Sequence, residues 1–325
     1  MYAVYAQGIE KDAPLKGLAT GELPEPEHLA ARPGWTTVTL KAAALNHHDL
    51  WSLRGVGLPA ERLPMILGCD GAGVDEDGNE VVVHPVVGEN GHGVPEGERR
   101  SILTEIYPGT FAERIAVPRW NLLPKPAALS FAEAACLPTA WLTAYRMLFT
   151  RSGLRPGDSV LVQGAGGGVA TALIVLARAA GFRVWATSRS EAKRARALDL
   201  GAHQAFESGA RLPERVDAVM ETVGAATWAH SVASVREEGT IVISGATSGP
   251  NPPAALTRIF YHELRIVGST MGTRDELAAL LRFCETADVR PVIDSILSLR
   301  DEGDVESGFA RMADGDVVGK IVFEV

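Results

Sequence analysis

At residues 159–170 the chain reads Ser159-Val160-Leu161-Val162-Gln163-Gly164-Ala165-Gly166-Gly167-Gly168-Val169-Ala170. A short apolar run typical of a buried strand leads into a run of glycines, and a helical pattern rich in Ala, Leu, Ile and Val continues to Ala180. A strand, a glycine-rich turn and a helix in this order are typical of a Rossmann unit, in which the amides of the helix N-terminus hold a pyrophosphate. The sequence therefore predicts a dinucleotide site here, and the alternative is a glycine turn that binds nothing.

Two frames fit the glycine run. The frame Gly164-x-Gly166-x-x-Val169 puts a branched residue where helix and strand must pack closely, whereas Ala165-x-Gly167-x-x-Ala170 keeps all three positions small. We favour the second frame, in which the middle glycine lets the backbone approach the pyrophosphate. The residues that we expect at the pyrophosphate are Ala165, Gly167, Gly168 and Val169.

The end of the second predicted strand sets the cofactor preference. A site for NAD carries an acidic residue there, which accepts hydrogen bonds from the adenosine ribose. Here the chain reads Thr187-Ser188-Arg189-Ser190-Glu191-Ala192-Lys193. Because Ser188, Arg189 and Lys193 offer a hydroxyl and two cations suited to a 2′-phosphate, we predict NADPH. The alternative is that the two cations only solvate the start of a helix.

Periodicity divides the chain into two kinds of structure. From about residue 123, near-continuous apolar strands alternate with helical patterns, which indicates a parallel sheet covered on both faces. Residues 1 to about 120 contain short β-like runs between Gly and Pro, as in a barrel-like unit. A last segment carries a helix, 274–287, and an apolar end, 320–325, that returns as a strand to the first unit. The length of 325 residues fits two domains.

Composition excludes several classes of protein. A formal net charge of −9 opposes attraction to nucleic-acid phosphates, and no stretch approaches the roughly 20 apolar residues of a membrane helix. We therefore expect neither nucleic acid nor membrane as a partner. The N-terminal residues lack the pattern of a signal peptide, and the three cysteines are far apart, so a reduced, cytoplasmic setting fits best.

Several further motifs, in this order and spacing, resemble the medium-chain dehydrogenase/reductase superfamily, the group of alcohol dehydrogenases and quinone oxidoreductases. The match runs nearly from end to end. It rests on Ala44-Leu45-Asn46-His47-His48-Asp49-Leu50, Ile66-Leu67-Gly68-Cys69-Asp70-Gly71-Ala72-Gly73, Gly109-Thr110-Phe111-Ala112-Glu113, Leu142-Thr143-Ala144-Tyr145-Arg146, Gly201-Ala202, Glu221-Thr222-Val223-Gly224, Gly268-Ser269-Thr270-Met271-Gly272 and Gly319-Lys320-Ile321-Val322.

The resemblance implies an α/β chain with two domains and an active cleft between them. We expect a β-rich, GroES-like catalytic domain over residues 1–122 and 270–325, and a doubly wound Rossmann domain that binds NADP over residues 123–269. It also implies an oligomer, which we expect to be a homodimer.

The resemblance also implies where metals would bind. Alcohol dehydrogenases of the family hold a catalytic zinc at positions that correspond here to Asn46, Cys69 and Thr139. One thiol with an amide and a hydroxyl is a poor zinc site, and the stretch Val86 to Tyr107, where relatives carry four structural cysteines, contains no cysteine. We therefore expect no metal. Another metal is a lesser alternative, because adjacent residues on a turn diverge; its ligands would come from His47, His48, Asp49, Cys69 and Asp70.

In an alcohol dehydrogenase, zinc polarises the alcohol oxygen and lowers its pKa, so the absence of zinc argues against oxidation of a simple alcohol. The reaction that remains is hydride donation from the cofactor to an electron-poor substrate. Asn46 is the first candidate to donate a hydrogen bond to the developing oxyanion, and His48 matches a family position that relays protons. The alternative for each is a structural hydrogen-bonding residue. Further cofactor contacts that the resemblance implies are His47, Thr143, Val223, Gly245, Ala246, Thr270 and Met271.

The sequence thus predicts a zinc-independent, NADPH-dependent oxidoreductase that reduces small quinones or α,β-unsaturated carbonyls. Two further enzyme functions stay open, reduction of an enoyl thioester and an alcohol dehydrogenase-like activity. A non-catalytic NADPH-binding sensor of the same fold is the alternative of another class.

Overall fold

A computed structural model describes residues 1–93 and 100–325, with the side chain of His28 left aside. Part of the stretch in which relatives carry structural cysteines, 94–99, therefore lies outside the described residues. The described chain divides into two compact units. The first comprises Met1–Thr139, Thr273–Thr286 and Ile293–Val325, and the second comprises Ala140–Gly272 and Ala287–Val292. The domain boundaries that we expect at 122/123 and 269/270 stay a prediction.

The first unit is rich in β-structure. Its longest strand, β3, lies inside a seven-stranded sheet with the order β10-β6-β5-β3-β18-β17, and β9 also pairs with β3. Two of these strands come from the C-terminal segment, β17 (Ile293–Ser298) and β18 (Lys320–Glu324). A second sheet has the order β2-β1-β4, and β7 pairs with β8. The strands are β1 (Tyr2–Ala6), β2 (Leu18–Glu22), β3 (Trp35–Ala44), β4 (Met65–Ile66), β5 (Asp70–Asp75), β6 (Glu80–Val83), β7 (Val86–Val87), β8 (Ser101–Ile102), β9 (Arg114–Pro118) and β10 (Leu122–Pro124).

Helices in the N-terminal part of this unit are short. They are α1 (Glu27–Ala30), α2 (His47–Leu53) and α3 (Phe131–Ala135), with 3-10 turns at Pro14–Gly17, Ala60–Arg62, Glu89–Gly91 and Arg119–Asn121. Helix α2 follows β3 directly, so the first residues of α2 lie at one end of the large sheet. Helix α2 carries two of the predicted site residues, His47 and His48, and a third, Asn46, is its N-cap.

The second unit contains a six-stranded sheet in which every neighbouring pair of strands is parallel. Its strands are β11 (Ser159–Val162), β12 (Arg183–Thr187), β13 (Gln204–Phe206), β14 (Val216–Glu221), β15 (Val235–Ile243) and β16 (Arg265–Gly268). Its α-helices are α4 (Leu142–Tyr145), α5 (Gly168–Ala179), α6 (Glu191–Asp199), α7 (Ala225–Ser234) and α8 (Leu256–Tyr261), and Arg146–Arg151 is a π-helix.

The order of the strands in this sheet is β13-β12-β11-β14-β15-β16. This is the strand order 3-2-1-4-5-6 of a doubly wound dinucleotide-binding domain. The predicted α/β fold with a Rossmann sheet and a β-rich unit is therefore confirmed. Successive strands are added on one side of β11 up to β13 and on its other side from β14 onward, and ligands of such sheets bind beyond the carboxyl ends of the strands near this switch point.

The chain returns to the first unit through α9 (Arg274–Thr286), β17 (Ile293–Ser298), α10 (Glu302–Asp314) and β18 (Lys320–Glu324). Strand β18 pairs with β3, with Val322 opposite Ala44, so the predicted return of the last segment as a strand is confirmed. As a result Lys320, the first residue of β18, lies close to the start of α2. No helix in the described residues is long and apolar enough to span a membrane.

Candidate active site

The glycine-rich turn connects β11 to α5 at the carboxyl edge of the Rossmann sheet. Gly164 has a left-handed φ of 87°, whereas Gly167 is the N-cap of α5 with an ordinary φ of −68° and ψ of 163°. Ala165 and Ala170 are buried and Gly167 is exposed. A Cβ at Gly167 would meet no described atom within 4 Å beyond its two chain neighbours. The turn thus leaves open space over the first amides of α5, where an anion is stabilised by the helix dipole.

The turn between β12 and α6 holds the residues that we expect at a 2′-phosphate. Ser188 is buried, and its Oγ accepts a hydrogen bond from the backbone N–H of Ser190 at 3.2 Å. Arg194, which the sequence did not single out, closes the turn by donating from Nη1 to the carbonyl oxygen of Ser188 at 2.8 Å. Arg189 is exposed, and its guanidinium makes no hydrogen bond or ion pair within the described residues. Lys193 lies in the first turn of α6.

A buried carboxylate shapes the neighbouring turn after β14. Oε1 of Glu221 accepts hydrogen bonds from the N–H groups of Val223 at 2.8 Å and Gly224 at 3.0 Å, and Oε2 accepts from the hydroxyl of Ser231 at 2.5 Å. Nearby, the hydroxyl of Thr187 donates to Oε1 of Gln163 at 2.7 Å. Because Nε2 of Gln163 also donates to the hydroxyl of Ser231 at 3.0 Å, these bonds link the carboxyl ends of β11, β12 and β14.

The remaining residues predicted for the cofactor in this unit divide into two groups. Gly245 and Ala246 follow β15, and Thr270 and Met271 follow β16, so four more predicted residues lie at the same edge of the sheet as the glycine turn. Thr143 is buried on α4, which packs against α5. The fold therefore gathers most of the predicted cofactor residues at the carboxyl edge of one parallel sheet. Their contact with a cofactor stays a prediction.

In the first unit, Asn46 belongs to a buried polar cluster. The ammonium of Lys320 donates to Oδ1 of Asn46 at 2.6 Å, to Oδ2 of Asp70 at 3.0 Å and to the carbonyl oxygen of Leu45 at 2.7 Å. Nδ2 of Asn46 donates to Asp70 at 2.9 Å and to the carbonyl of Ala44 at 3.2 Å. Both hydrogens of the Asn46 amide are thus engaged with protein acceptors. We call Asn46, Asp70 and Lys320 the buried lysine cluster.

Asp49 fixes the start of α2. Its carboxylate accepts hydrogen bonds from the N–H groups of Asn46 at 2.8 Å and Gly68 at 2.9 Å. Burial nevertheless raises the pKa of Asp49 to about 7, with the nearby Asp70 adding to the rise. Asp49 therefore holds the loop around Gly68 against α2, as expected for a structural residue. His47, the first residue of α2, is exposed.

His48 is partly exposed and makes one hydrogen bond, between Nε2 and the hydroxyl of Thr104 at 3.0 Å. Burial lowers the pKa of His48 to about 4. At neutral pH the imidazole is therefore uncharged. A neutral imidazole still offers one N–H donor, so His48 suits the stabilisation of an oxyanion better than the transfer of its own proton.

The lowered pKa of His48 has a measurable effect on stability. Between pH 7 and pH 5 the unfolded chain takes up a proton at this residue and the folded chain does not, so acidification favours unfolding. We expect the free energy of unfolding to fall by about 2 kcal/mol from this residue alone over that interval. Urea unfolding of wild type and His48→Gln at both pH values measures it. An equal pH dependence in the two proteins would contradict the assignment.

The donor set at the zinc positions of the family does not suit zinc. Asn46 is bonded to an ammonium, whose charge opposes a nearby dication. Burial raises the pKa of Cys69 well above its ordinary value, and the thiol donates to the carbonyl of Leu103 at 3.4 Å. The thiolate that zinc requires is therefore disfavoured. Among the described residues no three or more His, Cys, Asp or Glu side chains are placed to hold a metal.

Sequence reasoning missed three residues of this region as site residues. Lys320 and Asp70 stood in quoted motifs, and a lysine beside an apolar strand run was a signal that it is buried against a partner. Thr104 gave no signal, because its role depends on a backbone conformation and on contacts with α2 that come from distant parts of the chain.

The chain combines a doubly wound sheet of the dinucleotide-binding kind with a β-rich unit. This combination is typical of the two-domain dehydrogenases. Two family models match, "Alcohol dehydrogenase GroES-like domain" over residues 32–127 and "Zinc-binding dehydrogenase" over residues 168–286. The chain belongs to the medium-chain dehydrogenase/reductase superfamily and is an oxidoreductase of that kind.

Curated relatives cover most of the chain. A zinc-type alcohol dehydrogenase-like protein of Schizosaccharomyces pombe is 30% identical and aligns over 81% of this chain and 84% of its own length. An acryloyl-coenzyme A reductase of Sulfurisphaera tokodaii is 28% identical over 97% and 99%. A quinone oxidoreductase of Lama guanicoe is 28% identical over 79% of both chains.

Solved structures show the same fold. A NAD-dependent alcohol dehydrogenase is 36% identical, with a TM-score of 0.88 and full coverage of both chains. The 2-octenoyl-CoA carboxylase reductase CinF, in complex with NADP and 2-octenoyl-CoA, is 25% identical, with a TM-score of 0.87, and covers 99% of this chain and 87% of its own.

Proposed function

We propose that this chain is a zinc-independent reductase that uses NADPH to reduce small quinones or α,β-unsaturated carbonyls. The observation that carries the proposal is the buried lysine cluster, because an ammonium and a carboxylate saturate Asn46 at a family zinc position. A substrate that is already electron-poor accepts hydride without a Lewis acid. The relative named quinone oxidoreductase supports the same choice of substrate.

The protein's part in this reaction is orientation and hydrogen bonding. When bound, NADPH supplies a hydride from C4 of its nicotinamide. We propose that His48 donates a hydrogen bond to the substrate oxygen that gains charge. One nitrogen of its neutral imidazole, Nε2, bonds to Thr104, and the other is available for the substrate. Asn46 can donate to a substrate only by giving up a bond to Asp70 or Ala44, so we place it second. Water supplies the proton that completes the product.

The choice of NADPH over NADH rests on the turn after β12. The guanidinium of Arg189 is exposed and makes no hydrogen bond or ion pair within the described residues, while Ser188 lies on the same turn and Lys193 in the first turn of α6. A guanidinium matches the geometry of a phosphate, so this turn suits the 2′-phosphate of NADPH. The relatives differ in this respect, since one solved structure is described as NAD-dependent and another as a complex with NADP.

Reduction of an enoyl thioester is the second candidate. It is favoured by the relative named acryloyl-coenzyme A reductase, which aligns over nearly the whole chain, and by the structural neighbour with bound 2-octenoyl-CoA. The chemistry at the reacting carbon is the same as for an enone. The two candidates differ in whether the protein recognises the phosphates of the carrier.

A panel of substrates tests the proposal. Purified protein is assayed for consumption of NADPH and NADH with a benzoquinone, with cyclohexenone and with crotonyl-CoA, and for alcohol oxidation with NADP⁺ and NAD⁺. We expect turnover of the quinone or enone with NADPH. A far greater kcat/KM for crotonyl-CoA would favour the second candidate, NAD-linked alcohol oxidation would overturn both, and tight NADPH binding without turnover would indicate a sensor.

We also propose that the chain forms a homodimer. Strand β16 lies at one edge of the six-stranded sheet, and its Ile266 is exposed. Helix α8, in the same unit, exposes Leu256, Phe260 and Tyr261. Exposed edge strands and apolar groups are surfaces that a second copy covers in many oligomers. A cytoplasmic location stays a prediction.

A further inference from the structure

Thr104 combines complete burial with an unusual backbone. Its φ is 79°, in the left-handed region that β-branched residues rarely adopt, and its N–H donates to the carbonyl of Tyr107 at 2.8 Å. Such a conformation is energetically unfavourable and is retained where the surrounding structure depends on it. Here it places a hydroxyl against α2, where Oγ1 lies 3.0 Å from Nε2 of His48 and 3.3 Å from Oγ of Ser52.

The hydrogens of these three side chains can be assigned by finding an acceptor for each. Ser52 is fully buried, and the hydroxyl of Thr104 is its one partner in the described chain, so Ser52 must donate to Thr104. The hydrogen of Thr104 then needs another acceptor. If Thr104 donated back to Ser52, the hydrogen of Ser52 would be buried without a partner, which is energetically unfavourable.

Two acceptors remain for Thr104, Nε2 of His48 and the sulfur of Cys69, with which Thr104 also interacts. The thiol of Cys69 directs its own hydrogen to the carbonyl of Leu103. A thiol sulfur is a weak acceptor, whereas the unprotonated nitrogen of an imidazole is a strong one. The favoured chain of hydrogen bonds therefore runs from Ser52 through Thr104 to Nε2 of His48.

We infer that Thr104 is a positioning residue that holds His48 in the tautomer with its hydrogen on Nδ1. In this tautomer Nε2 accepts from Thr104, and the Nδ1–H, which has no partner in the described part of the chain, is left to donate to a bound molecule. Only one part of this inference rests on the proposed function, namely that the Nδ1 hydrogen is donated to the substrate oxygen that gains charge during reduction. The tautomer itself follows from the hydrogen bonds within the first unit.

Nitrogen-15 NMR of histidine-labelled protein measures the tautomer without cofactor or substrate. The signals of His48 are assigned by their loss in His48→Gln. We expect the hydrogen on Nδ1 in wild type and in Thr104→Ser, which keeps the hydroxyl, and a shift toward hydrogen on Nε2 in Thr104→Val, which keeps the shape and the branched Cβ. Ser52→Ala is expected to weaken the selection as well. Hydrogen on Nε2 in wild type, or an unchanged tautomer in Thr104→Val, would overturn the inference.

Steady-state kinetics with a quinone or enone tests the use of this hydrogen separately. Thr104→Val is expected to lower kcat about tenfold with little change in the KM for NADPH, because a misplaced donor loses part of the stabilisation that one oxyanion donor gives. Thr104→Ser should restore the rate, and Thr104→Val should have no further effect in a His48→Gln background. A thermal melt of each variant excludes misfolding. If the tautomer responds to Thr104 but His48→Gln turns over normally, the inference stands and the proposed role of His48 fails.

Discussion

Gly167→Ala is expected to leave the free energy of unfolding unchanged within about 0.5 kcal/mol and to weaken NADPH binding at least about thirtyfold. The φ and ψ of Gly167 suit any residue, and an added Cβ meets no described atom within 4 Å beyond its neighbours. The substitution should therefore not destabilise the folded chain. A bound pyrophosphate would occupy that open space, because the middle glycine of the motif serves to let it approach the backbone. Isothermal titration with NADPH and urea unfolding measure the two quantities.

Gly164→Ala is the matched control for this variant. Gly164 has a φ of 87°, so a side chain there is strained, and an added Cβ has Val223 as its nearest neighbour at 3.8 Å. We expect it to lower the free energy of unfolding by about 1 kcal/mol or more. Unchanged NADPH affinity in Gly167→Ala would show that the pyrophosphate does not lie over this glycine.

Arg189→Ala is expected to weaken NADPH binding about 10- to 100-fold and to change NADH binding less than about threefold. A hydrogen bond between charged groups contributes about 1.5–3 kcal/mol, and NADH lacks the phosphate that would accept it. The side chain is exposed and makes no bonds in the described chain, so its removal costs little stability. The KM values for NADPH and NADH, measured with the same acceptor in wild type and Arg189→Ala, show how far the variant weakens the binding of each cofactor.

Arg196→Ala controls for the loss of a positive charge on α6. Arg196 is exposed and forms an ion pair with Asp199, at 3.9 Å on the same helix. We expect Arg196→Ala to leave the binding of both NADPH and NADH unchanged. Equal losses for NADPH and NADH in Arg189→Ala would mean that the guanidinium acts on a part common to both, and the predicted preference for NADPH would then be wrong.

The Rossmann unit was predictable because its signals are local. Residues 159–162 and 183–187 are apolar runs of strand length, and the structure places strands at those residues. Strand β15 begins at Val235, five residues earlier than the apolar run at Thr240, because Val235 already pairs with Val216 of β14, and after an irregular stretch the pairing resumes at Thr240.

The sequence predicted which residues are the catalytic candidates, but it did not predict the hydrogen bonds that determine what their side chains can do. The sequence placed Asn46 and His48 together, but their hydrogen-bond partners, Lys320 and Thr104, lie 274 and 56 residues away along the chain. Contacts of that range depend on β18 returning beside β3 and on the left-handed turn at Thr104. No local pattern encodes either of them.

The central claim is that hydride passes from NADPH to an electron-poor substrate without zinc. The most direct measurement uses NADPH deuterated at C4, in each stereochemical form, with protein dialysed against a strong chelator and its metal content determined. We predict transfer of one deuterium from one of the two forms into the reduced enone, at the same rate before and after chelation, with far less than one zinc per chain. Loss of transfer on chelation that is restored by one equivalent of zinc would contradict this account.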